Sequence, residues 1–196
     1  MISCVILSAG MSSRFGSPKA LAPLNSENVI EHQQNILLKT EINEIIIVLG
    51  ADSKQIEPFV NNSERIRTVY NKNYRSGQTS SFKAGVEKIS PDSEGIMLLP
   101  VDYPFIKAET YNYICEQFIT NMPMITVPTY NNKKGHPPVF NSDLKNELLS
   151  LDNSRGLNTL HHKYDKNLLF VPVRDPGVCK TFNTTEEFKN ILEKSI

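Results

Sequence analysis

Apolar residues along the chain gather into six short runs: Ile2–Leu7, Ile45–Leu49, Ile66–Tyr70, Ile96–Leu99, Met124–Pro128 and Leu168–Val173. Most of these runs are continuous rather than alternating. A strand with one wet face alternates, whereas a strand covered on both faces does not, so the runs predict buried strands of a mostly parallel sheet. The stretches between them carry helical period. Phe82, Val86 and Ile89 recur at i, i+4, i+7, and Tyr111, Ile114, Cys115 and Phe118 recur at i, i+3, i+4, i+7. The Tyr111/Phe118 stripe reads as core packing. Phe188, Ile191 and Leu192 mark a last helix, with Thr184 and Glu187 spaced as a capping box at its start. The turn-rich segment Asn131–Pro138 reads as a loop. Strand–helix alternation of this kind predicts a doubly wound α/β fold. No linker, repeat or low-complexity tract divides the chain, which is expected to form one domain over 1–196. In such sheets ligands bind beyond the carboxyl ends of the strands. The loops after Leu7, Leu49, Tyr70 and Leu99 are therefore where chemistry is expected.

Composition narrows the function classes. Twenty-one Lys and Arg balance twenty-one Asp and Glu over 196 residues. That balance argues against a broad nucleic-acid binder and against a polybasic membrane anchor. With 39% hydrophobic and 21% charged residues the chain reads as globular. Its apolar runs fall far short of the roughly twenty residues of a membrane helix. The N-terminus lacks the basic and apolar stretches of a signal peptide. Three widely spaced cysteines, Cys4, Cys115 and Cys179, form no metal-binding spacing and read as free thiols in a reducing cytoplasm.

The loop after the first run is Leu7-Ser8-Ala9-Gly10-Met11-Ser12-Ser13-Arg14-Phe15-Gly16-Ser17-Pro18-Lys19. Small residues let backbone N–H groups close around anionic oxygens. Arg14 offers a planar fork for phosphate, and Lys19 a compact positive charge. The spacing is neither a Walker A loop nor G-x-G-x-x-G, so neither a P-loop ATPase nor a dinucleotide dehydrogenase is supported. Taken alone, the loop is also readable as a solvated turn. Asp102, in Pro100-Val101-Asp102-Tyr103-Pro104, follows the fourth run and would face the same crevice if the first and fourth strands are neighbours. A hard carboxylate there suits Mg²⁺, which takes one or two protein carboxylates plus substrate phosphates. A turn or cap role for the same Asp stays open.

Together these blocks resemble the nucleotidyltransferase family that includes the molybdenum cofactor guanylyl- and cytidylyltransferases. Residues Leu7–Lys19 are similar to its opening L-x-[AG]-G-x-S-x-R-[MF]-G-x-x-K. Asn71–Ser81 is similar to N-x-x-[WY]-x-x-G-x-x-x-S, Asp102-Tyr103-Pro104 to its D-x-P block, and Gly135-His136-Pro137 to a G-H-P turn of the cytidylyl branch. The resemblance implies a Rossmann-like three-layer α/β/α nucleotidyltransferase domain. It implies transfer of CMP from CTP to the phosphate of molybdopterin, with release of pyrophosphate.

Carried over residue by residue, it gives Lys19 the α-phosphate and Arg14 the β- and γ-phosphates, and makes Asp102 a Mg²⁺ ligand. Leu7, Ser8, Ala9, Gly10 and Ser13 would hold the base and triphosphate. Gly77, Ser80 and Ser81, at the start of the next helix, would face base or ribose, and His136 the acceptor. Relatives often carry D-I-D-T-P-E-D-L before the last helix, where this chain has Thr181-Phe182-Asn183-Thr184-Thr185-Glu186-Glu187-Phe188. A second metal ligand at Asn183 would therefore be an amide oxygen without charge. Val101 stands where relatives usually have a small residue. His161 and His162 read as surface or core residues. Arg155 reads as a partner for the acceptor's phosphate or a helix cap.

The expected partners are CTP or another NTP and a phosphorylated pterin in the cytoplasm, with a molybdoenzyme or its chaperone as transient receiver. Rival readings are another phosphate acceptor such as a sugar phosphate, GTP-dependent guanylyl transfer, or a nucleotide-binding accessory protein without turnover.

Overall fold

The computed structural model describes residues 1–153 and 156–193. Arg155 lies outside the described residues, and with it the role read for it. The strands are β1 Ile2–Ser8, β2 Pro23–Leu24, β3 Glu27–Asn28, β4 Glu44–Leu49, β5 Ile66–Tyr70, β6 Gly95–Pro100, β7 Ile125–Tyr130, β8 Lys133–Lys134, β9 Val139–Asn141 and β10 Leu168–Pro172. The helices are α1 Val29–Leu37, α2 Ser53–Ile56, α3 Gln78–Val86, α4 Ala108–Asn121, α5 Lys145–Ser150, α6 Asn158–Lys163 and α7 Thr185–Glu193. The six apolar runs of the sequence became β1, β4, β5, β6, β7 and β10.

These strands build an eight-stranded sheet in the order β10-β7-β9-β6-β1-β4-β5, with β8 paired to β7; β2 and β3 form a separate hairpin. β1 lies between β4 and β6 and is parallel to both, with Leu7 opposite Val48 on one side and Pro100 on the other. Every residue of β1, β4 and β6 is buried, which is why their sequences are apolar without alternation. Side chains of alternate parity pack into different layers. Cys4, Ile6, Ile47 and Met97 meet α1 and α4, while Val5, Val48 and Leu98 meet α3 and α5. The result is the expected three-layer α/β/α arrangement.

The expected loop at 131–138 contains the two-residue β8, and the chain then enters β9, which the apolar pattern does not predict. β9 is antiparallel to both β6 and β7. It is short, yet Val139 and Phe140 are fully buried on opposite faces. At the amino end of the strands the carboxylate of Glu44 is buried. It accepts from Ser3 Oγ at 2.5 Å and Ser90 N at 2.9 Å, and it pairs with Arg67. A buried charge needs such a full set of partners. Among the described residues no helix is long and apolar enough to cross a membrane.

Candidate active site

At the carboxyl end of β1 the chain turns away through Ala9–Pro18 before reaching α1. Two features shape this turn. The N–H groups of Phe15 and Gly16 both donate to the carbonyl of Ser12, at 2.9 and 3.1 Å, and Gly16 sits at φ +84°, a conformation that favours glycine. Phe15 is buried against Phe182 and Phe188, with ring centroids 5.4 and 6.1 Å away. Thr185 Oγ1 also donates to the Phe15 carbonyl, at 3.1 Å. The start of α7 thus holds the first loop in place across almost the whole chain. Its own start is closed by the expected capping box: Glu187 N donates to Thr184 Oγ1 at 3.1 Å and Thr184 N to Glu187 Oε2 at 3.4 Å. From the other side Gly50, just past β4, presses on the loop. A Cβ there would lie 2.5 Å from the Ala9 carbonyl oxygen.

This scaffold brings four of the sequence-selected side chains to one point. Lys19 Nζ lies 3.0 Å from Asp102 Oδ2 and donates at 3.0 Å to Asn183 Oδ1. Arg14 Nη2 donates to the same Asn183 oxygen at 3.1 Å. The Lys19 and Asp102 side chains are 13% and 22% exposed, so the pair is shielded but open to a ligand. Val101, unexplained by its sequence position, packs between the sheet core and the Phe15/Phe182/Phe188 cluster, and its N–H donates to the Leu7 carbonyl at 3.1 Å.

The four residues border a cleft of about 620 Å³, whose wall also includes Leu7, Ser8, Ala9, Gly10, Ser13, Gly77, Ser81 and His136. Ser80 is not brought to it, which corrects the expectation for that residue. Its hydroxyl is buried, accepts from Asn71 Nδ2 at 2.9 Å and lies 2.9 Å from the carbonyls of Asn73 and Gly77. It ties down the turn before α3, where Gly77 takes φ +95°. The sequence also missed cleft residues: Tyr74, Arg75 and Gln78 on the far wall, and Tyr103 and Thr181 nearer the acid. Arg75 and Tyr74 lie inside the Asn71–Ser81 block, so a cation beside an aromatic was the available signal.

A second hollow of about 900 Å³ adjoins the cleft and shares Gln78, Tyr103 and His136 with it. Leu98, Val127 and Phe140 make its apolar floor, and His161 and His162 stand on its rim rather than on a plain surface or in the core. Burial pushes the His161 imidazole down, and the Lys134 charge acts in the same sense. Burial likewise lowers His136, against the upward pull of Asp102. Burial thus favours the neutral form of both rings. Tyr103 stacks at 4.4 Å on His136, and burial raises its phenol, helped by the Asp102 charge.

Because Phe182 is fully buried beside Asn183, Phe182→Ala should cost about 3–5 kcal/mol, the usual price of emptying an aromatic site. The drop in thermal midpoint should be accompanied by weaker nucleotide binding, since Asn183 and the Arg14 loop share that cluster. Calorimetry on folded protein checks both, and a stability loss with unchanged nucleotide affinity would uncouple the cluster from the cleft.

Known proteins share these features. A match to the family "MobA-like NTP transferase domain" covers residues 4–168. The chain is 28% identical over 158 residues to "Nicotine blue oxidoreductase" of Paenarthrobacter nicotinovorans, covering 76% of this chain and 75% of that protein. It is 31% identical over 133 residues to "Probable molybdenum cofactor guanylyltransferase" of Bacillus anthracis, covering 66% of this chain and 62% of that protein. The match thus spans less than two thirds of the guanylyltransferase's length. Among solved structures, a nucleotidyl transferase from Methanothermobacter thermautotroptrophicus superposes with a TM-score of 0.84 at 22% identity, covering 99% of this chain and 97% of that one.

Proposed function

We propose, from the premise that this chain belongs to the MobA-like NTP transferase family and is a nucleotidyltransferase, that it transfers CMP from CTP to the phosphate of the molybdenum cofactor's pterin and releases pyrophosphate, as one domain acting in the cytoplasm. The observation that carries this is the convergence of Arg14, Lys19, Asp102 and Asn183 at the mouth of a cleft that opens into a second hollow. One compartment, the one holding the cations, suits a nucleoside triphosphate and the next a second substrate.

In the reaction an oxygen of the acceptor phosphate attacks the α-phosphorus in line. The new P–O bond forms as the bond to the β-phosphate breaks, and charge builds on the equatorial oxygens and the departing pyrophosphate. Fixed cations aimed at that charge, rather than a covalent nucleophile, are what the step needs. Lys19 would meet the α-phosphate and Arg14 the β- and γ-phosphates. The amides of Ala9 and Gly10 would hold the triphosphate, with Ser13 beside them, and the Leu7–Ser8 backbone would help read the base. Gly77 and Ser81 would border base and ribose. Asp102 Oδ2 and Asn183 Oδ1 both lie 3.0 Å from one ammonium nitrogen. That puts two hard oxygens around a point already favourable to positive charge, which fits Mg²⁺. When bound, Mg²⁺ would neutralise triphosphate charge; Asp102 and Asn183 would hold it, and the substrate would supply further ligands.

The choice of cytosine rests on Ser17-Pro18-Lys19 and Gly135-His136-Pro137, against relatives named for guanylyl transfer. Incubation with Mg²⁺, labelled CTP or GTP and molybdenum cofactor decides it. The expected result is a cytosine dinucleotide and pyrophosphate from CTP. Product from GTP alone overturns the base, and product only with a sugar phosphate overturns the acceptor. A molybdoenzyme or its chaperone would receive the product.

A further inference from the structure

We infer that Lys19 keeps the divalent site closed until a nucleotide arrives: its ammonium bridges Asp102 and Asn183, and the phosphates of an incoming nucleoside triphosphate must draw it away before those two oxygens can take a metal ion. The inference rests on the transferase reading above and adds to it an order of assembly, in which the cleft takes the ion only together with the nucleotide.

Lys19 Nζ stands 3.0 Å from Asp102 Oδ2 and 3.0 Å from Asn183 Oδ1. Arg14 Nη2 donates to the same Asn183 oxygen at 3.1 Å, so both lone pairs of that amide oxygen are taken by cations. A divalent ion on either oxygen, at the usual distance of about 2.1 Å, would stand no more than about 5 Å from Nζ. The Lys19 and Asp102 side chains are largely shielded from solvent, and in so sheltered a place like charges at that range repel strongly. The oxygens therefore serve either the ammonium or the ion at full strength, not both.

The rest of Lys19 is built for such an exchange. Its backbone is held, since Lys19 N donates to Ser12 Oγ at 3.2 Å and Ala22 N donates to the Lys19 carbonyl at 3.1 Å. The ammonium also lies 5.5 Å from the centre of the Phe182 ring, whose face attracts a cation. Only the flexible four-carbon stem has to turn. A triphosphate in the cleft offers Lys19 and Arg14 more negative charge than Asp102 does. Once both have turned to the phosphates, Asp102 Oδ2 and Asn183 Oδ1 are released together, and the phosphates supply further ligands.

The first test is Mn²⁺ affinity without nucleotide, read by electron resonance. Lys19→Met keeps most of the stem and removes the charge, and it should tighten Mn²⁺ about tenfold or more over the unaltered protein. Arg75→Met takes one cation from the far wall of the same cleft and should change the affinity by less than about twofold, because solvent screens a charge set away from the oxygens. Adding Asp102→Asn to Lys19→Met should abolish the gain. A variant damaged in folding would lose affinity rather than gain it. No gain in Lys19→Met, an equal gain in Arg75→Met, or a gain that survives Asp102→Asn each overturns the inference.

The second test uses the unaltered protein labelled with ¹⁵N-lysine, its Lys19 ammonium signal assigned through Lys19→Arg. A non-hydrolysable NTP analogue without metal should shift that signal, and Mg²⁺ alone should leave it in place. A signal unmoved by the analogue, or moved as far by Mg²⁺ alone, overturns the inference. Both tests met with no transfer to any acceptor would leave the exchange standing and remove the transferase reading. Transfer with Mn²⁺ affinity indifferent to Lys19 would do the reverse.

Discussion

Lys19→Ala should lower nucleotidyl transfer by about 10²–10³-fold in kcat, while nucleotide affinity falls far less, because a preorganised cation is worth most where charge develops. Lys19 is suited to that test. Its ammonium is held at 3.0 Å by both Asp102 and Asn183, so it is already aimed before substrate arrives and loses little freedom in the transition state. The variant leaves a small void at the cleft wall and not in the core. Thermal stability should therefore barely change, and the loss is readable as chemistry. Single-turnover rates with saturating NTP, set beside calorimetric affinities, separate the two quantities. Equal losses in rate and in affinity would make Lys19 a binding contact only.

Asp102→Asn is the second large effect, with transfer falling about 10²-fold or more. The amide keeps the shape of the side chain and one oxygen. Among the described residues it removes the one carboxylate paired with Lys19, and with Asn183 already neutral it leaves the described lining of the proposed cation pocket without a carboxylate. Divalent affinity, measured by Mn²⁺ resonance in the presence of a non-hydrolysable NTP, should weaken alongside activity. The counterpart Asn183→Asp should strengthen it, since Mg²⁺ prefers carboxylate to amide oxygen. Metal affinity unaltered in both variants would place the cation elsewhere.

Much of the architecture is legible in the sequence because burial on both faces leaves an unbroken apolar signature. β1, β4 and β6 carry it, and they are the strands whose ends position Ser8 and Asp102. What stayed hidden has two causes. β9 contributes three residues straight after Pro137 and Pro138, too short for any period to register, and its direction depends on partners far along the chain. α1 was equally quiet, because buried Gln33 and Gln34 interrupt its apolar stripe. Their amides instead donate to the carbonyls of Pro100, Tyr103, Ile30 and Phe59.

Within the site, the clustering of Arg14, Lys19 and Asp102 followed from strand order, since the first and fourth long strands are neighbours, while Asn183 joins them from the segment before α7. Ser80 misled because a serine at a helix start looks free. Its hydroxyl is taken up by Asn71 and by the carbonyls of Asn73 and Gly77. The second hollow was marked in the sequence only by its Gly135-His136 turn, the rest being assembled from α3, β6, β7, β9 and residues near α6 that share no motif.

The reversed strand between β6 and β7 divides the molecule's labour. On the proposed reading, the residues that would meet the donor's phosphates hang on the carboxyl ends of parallel strands such as β1 and β6, whereas the wall of the second hollow returns through β8, the Gly135–Pro138 turn and β9. On that reading, lengthening or rewriting the return path should change which acceptor is used without re-registering a single pair along β1. A lineage built this way can exchange one client for another while its triphosphate chemistry stays untouched, and libraries aimed at new acceptors should be confined to residues 131–138 and to the rim at His161 and His162.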